Sequence, residues 1–142
     1  MKKLTTRFMI VTAALLVAAG AASAQVMQAS IPFEFRVGDR VMAPGAYRID
    51  NLRSVTSPPL FRLLNVDSRG SIAVLPLAPV DPKKEWAGGQ GKLVFACSSG
   101  SCVLSELWSG SESYAYAFRG PKLGKGEIAV LREIPMQPGK GE

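Results

Sequence analysis

Two cysteines, a scatter of carboxylates and a few aromatic rings are the side chains of this sequence that could do chemistry. Cys97 and Cys102 flank Ser98-Ser99-Gly100-Ser101, a short glycine-containing turn across which two cysteines can face each other on paired strands. The spacing predicts a structural disulfide. A redox-active pair ordinarily has the tighter Cys-x-x-Cys spacing, and a metal site would need further cysteine or histidine ligands. The chain has no histidine, which removes the commonest general base, the commonest zinc ligand and any Ser-His or Cys-His nucleophile pair. It carries no phosphate loop, dinucleotide fingerprint or calcium loop. No catalytic residue, metal site or cofactor is therefore assigned, and the sequence reads as that of a protein that is not an enzyme.

A histidine-free hydrolase could still work with paired carboxylates. Glu34, Asp39, Asp50, Glu106, Glu112 and Glu127 are available, and strand alternation turns most of them to solvent. Glu106 is the exception. With Cys97 opposite Cys102, simple pairing sets Phe95 opposite Leu104 and Leu93 opposite Glu106. That parity puts the carboxylate on the face of Phe95, Leu104 and Trp108, where it needs a partner such as Arg119 or Arg132. A one-residue bulge would turn it to solvent instead, and both arrangements stay open. Trp86, inside a loop, is either a plug folded onto the core or an exposed contact for a ligand or partner. Tyr114 and Tyr116, alternating with Ala115 and Ala117 ahead of Phe118, are either core-facing rings or a stacking platform for a glycan.

The elements that must position these residues are strands. Ile31, Phe33, Phe35 and Val37 alternate with Pro32, Glu34 and Arg36, the period of a strand with one buried face. Gly38-Asp39 is a turn pair. Pro44-Gly45 suits a type II turn, with positive φ at the glycine, and Tyr47 and Ile49 continue the pattern. Residues 54–59 form a proline loop, and 60–66 and 71–77 pair as a hairpin around Asp67–Gly70. Ala78 to Gly91 is the longest interruption, expected as an exposed loop. Lys92–Cys97 and Cys102–Trp108 form the next hairpin, 114–119 a strand, and 127–134 a last strand that could also be read as a short helix. Eight or nine strands predict an all-β, single-domain antiparallel sandwich or small barrel.

The segments Ile31-Pro32-Phe33-Glu34-Phe35, Val37-Gly38, Pro44-Gly45-Ala46-Tyr47, Gly91-Lys92-Leu93-Val94-Phe95 and Leu104-Ser105-Glu106-Leu107-Trp108 carry a resemblance. Together they resemble a family of small exported bacterial all-β proteins of unknown function. The turn departs from that family's Pro-Ala-Gly-x-Tyr, and the likeness fades after Trp108. It implies a β fold and an export route, and it is silent on activity.

The ends and the charge bound the rest. Lys2, Lys3 and Arg7 precede an apolar run from Phe8 to about Ala18, and Ala22-Ser23-Ala24 is a small-residue cleavage site, so residues 1–24 read as a signal peptide. The run falls short of the roughly 20 residues that span a bilayer, and no cysteine follows it to take a lipid. Cleavage would take 24 of 142 residues and leave 118, one β-domain over 25–134. A disordered tail is expected over 135–142. Three of the 17 basic residues lie in the signal, so the net charge falls from +6 to +3. The remaining lysines and arginines are scattered, which does not suit nucleic acid. The strands are also too short and proline-broken for an integral outer-membrane barrel. The sequence thus predicts a periplasmic or extracellular, non-catalytic interaction module, its partner an unknown envelope protein or glycan. The alternative is a binding protein for a glycan or small apolar ligand.

Overall fold

The alternation of apolar residues from Val26 onward builds two sheets whose inner faces share one core. A computed structural model describes residues 26–52 and 59–139; the expected signal peptide and the proline loop before Pro59 lie outside the described residues. Twelve strands are present among them: β1 (Val26–Ile31), β2 (Phe35–Val37), β3 (Arg40–Met42), β4 (Gly45–Asn51), β5 (Phe61–Asn65), β6 (Ser71–Val74), β7 (Ala78–Val80), β8 (Lys92–Ser98), β9 (Ser101–Trp108), β10 (Ala115–Ala117), β11 (Val130–Pro135) and β12 (Gln137–Pro138). The first sheet runs β12-β1-β4-β5-β6, and the second β11-β8-β9-β10-β7, with β2 joined to β9 and β3 to β2. All pairings are antiparallel except the single parallel bridge of Arg36 to Val103. This is the expected all-β sandwich.

The alternation expected to mark one strand from Ile31 to Val37 instead serves two sheets. Pro32 has no N–H to donate to a ladder, so β1 stops at Ile31, and the chain crosses over before β2 begins at Phe35. Ile31, Phe35 and Val37 nonetheless all point inward, because the core lies between the sheets. Phe35 contacts Tyr47 edge-on across that interior with centroids 5.2 Å apart, and Phe95 at the same separation. The Tyr47 hydroxyl donates to the Ala43 carbonyl. Gly45 takes φ +148°, a glycine conformation, after a bend at Pro44. The buried Asn65 closes the next hairpin, its Oδ1 accepting from the backbone N–H of Asp67 (3.0 Å) and Ser68 (3.1 Å).

Two further expectations are corrected and one is settled between its alternatives. The 78–91 interruption opens with a strand: β7 pairs with β10, Pro79 opposite Tyr116, and the proline is tolerated because β7 is an edge. The strand expected over 127–134 is present as β11, and the helical alternative is not. The tail expected to be disordered from Pro135 instead returns to the fold. Met136 is fully buried and its N–H donates to the Gly91 carbonyl (2.8 Å), while β12 pairs with β1. A lone Met136 between Pro135 and Gln137 is too short a signal for periodicity to register. Residues 140–142 lie outside the described residues.

Candidate functional site

The β8–β9 hairpin sets the positions of the chemically interesting side chains. It turns through Ser99 and Gly100, both at positive φ (+53° and +77°), the pattern of a type I′ turn that matches strand twist. Cys97 and Cys102 sit directly opposite each other, Cα atoms 4.0 Å apart, and are joined by a disulfide. Further along, the register slips. Phe95 faces Leu104, but Val94 faces Glu106 and Leu93 faces Leu107, so Ser105 is the extra residue of a bulge. This removes Glu106 from the inner face, as the bulged alternative requires. The carboxylate ends half-buried on the outer face of the second sheet. Burial holds it above the ordinary carboxyl range, Lys83 opposes that and Glu133 adds to it. Neither arginine considered as its partner is there for it: Arg132 lies over the Phe33 ring at 4.5 Å, and Arg119 is exposed at the opposite end of the sandwich.

On that outer face the 81–91 segment folds back as a cover. A single 3-10 turn, Lys84–Trp86, delivers the Trp86 ring onto Trp108, with centroids 5.8 Å apart and planes 20° from parallel. Its Nε1 donates to Glu133 Oε1 at 2.8 Å. With Val94 and Ala115 these rings form a second, smaller core. Trp86 is thus the plug, and it is 4% exposed. The other aromatic candidates separate. Phe118 is buried, Tyr116 is half-buried against Phe61 (5.2 Å), and Tyr114 is exposed with its ring 83° from that of Tyr116. Rings at that angle do not form a flat stacking platform.

What the plug positions is a cleft. Beyond Trp86 the chain runs through Gly88-Gly89-Gln90-Gly91, and beyond Trp108 through Ser109-Gly110-Ser111. These loops touch backbone to backbone: a Cβ on Gly91 would lie 2.7 Å from the Trp108 carbonyl oxygen, and one on Gly110 2.9 Å from the Gly91 nitrogen. They rim a cavity of about 590 Å³ at one end of the sandwich. Its walls are apolar and come from both sheets, chiefly Met27, Ile49 and Phe61 from one, Leu107 from the other and Met136 from the corner between them. Two acids, Asp50 and Glu112, also line it. Asp50 is held by Arg62, its cross-strand neighbour. The Glu112 carbonyl accepts from Trp108 Nε1 at 2.9 Å, which ties the rim to the plug. Glu112 also stands beside Tyr116, whose phenol is pushed well above its ordinary value, by burial first and then by Tyr114 and the Glu112 charge.

Comparison with family models, with curated proteins and with solved structures returned no match. A functional reading therefore rests chiefly on the geometry. Among the described residues no group of three His, Cys, Asp or Glu side chains is placed to hold a metal ion, and no helix is long and apolar enough to cross a membrane. A second cavity, about 850 Å³, opens at the other end between the Gly38-Asp39 turn and the Ser98–Ser101 turn. Its rim mixes Arg36, Arg119 and Lys122 with Asp39 and Glu127.

Sequence reasoning reached Trp86 and Tyr116 but not the cleft. The sequence pattern places Glu112 with the solvated acids, and the glycines read as loop punctuation. The available signal was the recurrence of Gly-Gly-x-Gly and Ser-Gly-Ser at the two ends of one hairpin, where backbones must approach closely.

Proposed function

We propose that this chain is an exported, non-catalytic binding module that takes a small, largely apolar ligand into the cleft behind the 88–91 and 109–111 loops. The observation that carries this is the cavity itself: about 590 Å³, walled by Met27, Ile49, Phe61, Leu107 and Met136 and edged by few polar groups. Ligand sites ordinarily measure about 300–1,000 Å³ and combine apolar walls with a small number of orienting polar atoms. The Cys97–Cys102 disulfide supports the exported part of the reading, since such bonds persist in oxidising compartments. So does the resemblance to small exported β-proteins.

The test is calorimetric titration with hexanol of the protein and of Ser111→Trp. Ser111 is exposed on the rim, so the indole can block the mouth without entering the core. Saturable binding that the substitution weakens at least tenfold supports the reading. Equal binding by both proteins contradicts it.

A second reading, an envelope interaction module, is favoured by β11. Among the described residues this strand pairs on one side only, with β8, and Val130 (65%) and Leu131 (51%) are exposed along it. A free apolar edge invites an added strand from another chain. Cross-linked capture from the cell envelope tests it. A stoichiometric protein partner lost with Leu131→Lys supports this reading, and capture unaffected by that change contradicts it.

A further inference from the structure

The charge at the cleft identifies the head group of what it binds. Among the described residues no lysine or arginine lines the cavity, and both of its ionisable residues are acids, Asp50 and Glu112. Asp50 already has the Arg62 guanidinium. Asp50 Oδ1 and Glu112 Oε2 are both buried and meet no hydrogen-bond donor among the described residues, but Glu112 has the Tyr116 phenol beside it and, unlike Asp50, no ion-pair partner among those residues. A buried carboxylate oxygen without a donor is costly, and a ligand bringing a donor or a positive charge recovers that cost. Of the other polar wall groups, Asn51 adjoins Asp50 and Gln90 lies on the facing loop, while the Ser109 and Ser111 hydroxyls share the rim segment of Glu112, so the largest group of polar side chains surrounds that carboxylate. The apolar walls lie deeper, at Ile49, Phe61, Leu107 and Met136.

We infer that the ligand is a cationic amphiphile, a hydrocarbon body in the apolar cleft with a protonated amine at Glu112. This rests on the reading of the cleft as a binding site and adds the chemistry of its occupant. An anionic amphiphile is disfavoured by the same geometry, because its head would face a carboxylate with no cation on the wall to offset it.

The experiment is a titration of the purified protein with hexylamine, hexanol and hexanoate at neutral pH and fixed ionic strength. The three share a body and differ in the head. Hexylamine is expected to bind about tenfold more tightly than hexanol, the scale of a charge-assisted hydrogen bond in a part-buried site, with hexanoate weakest. Glu112→Gln is expected to bring hexylamine down to the affinity of hexanol. Equal binding of all three, or preference for hexanoate, overturns the inference and leaves the cleft standing as an apolar site. No binding by any of the three overturns the inference together with the reading beneath it. The wild-type ranking decides the matter even where Glu112→Gln does not fold.

Discussion

Trp86 lies nearly parallel on Trp108 on the outer face of the second sheet, and its indole N–H reaches Glu133. The pair ties a loop that periodicity leaves unassigned to the strand that ends at the cleft. Trp108 in turn donates to the Glu112 carbonyl, so packing on one side of the sheet fixes the rim on the other side of the hairpin.

Truncating the plug therefore has both a stability cost and a positional one. Trp86→Ala is expected to destabilise the fold by about 3 kcal/mol, at the low end for a buried aromatic because this core is small. Trp86→Phe keeps much of the packing and loses the bond to Glu133, for a cost of about 1 kcal/mol. Urea unfolding followed by circular dichroism separates the two values. Equal midpoints for wild type and Trp86→Ala would show that the loop is not held by this ring.

Gly91 is constrained by space, since a Cβ there would meet the backbone oxygens of Trp108 and Ser109 at 2.7 and 2.9 Å. Neither atom can swing away as a flexible side chain could. Gly91→Ala is expected to push the two rim loops apart and cost roughly 2 kcal/mol, in the range of overpacked sites. Gly88→Ala is the control, because nothing lies within 4 Å of the position where its Cβ would stand. Its positive φ of +74° still carries a conformational penalty, of about 1 kcal/mol. Thermal unfolding should rank Gly91→Ala below Gly88→Ala, and the reverse order would refute the close-contact explanation.

The disulfide closes a loop with a sequence separation of only 5, so loop-closure entropy limits its value to about 2 kcal/mol. Replacing both cysteines by serine should lower stability by about that amount and leave the sandwich folded. Thiol titration of the unreduced protein should find no free thiol.

Glu106 predicts a pH dependence of stability. Its carboxyl is held above the ordinary value of 4.5 by burial, with Lys83 opposing and Glu133 adding. A carboxyl raised in the folded state binds its proton more readily folded than unfolded, so its contribution is most favourable below pH 4.5. That contribution is lost as pH rises through the folded value. Glu106→Gln should accordingly be more stable than wild type at pH 7, with the difference shrinking toward pH 4. A difference constant across that window would show that Glu106 titrates alike in both states.

What was legible in the sequence was local. Alternation marked Phe35, Val37, Tyr47 and Ile49 as inward, and the Cys97–Cys102 spacing marked the disulfide, because each depends on a few adjacent residues. The sheet crossing at Pro32 was not visible, since Ile31 and Phe35 keep the same parity on either side of it. The extra residue at Ser105 was equally silent, because a bulge depends on the partner strand. The burial of Met136 and the cleft required contacts between Gly91, Gly110 and the returning chain, which no window of neighbouring residues contains.

The cleft is the central claim, and the most direct measurement of it is a ¹H–¹⁵N NMR titration of the protein with hexanol. Saturable shifts confined to the amides of Ile49, Phe61, Leu107, Gly110 and Met136, converging on one affinity, are the result this account predicts. Shifts gathered instead at the opposite end, around Gly38, Ser99 and Phe118, or no saturable shift at all, would contradict it.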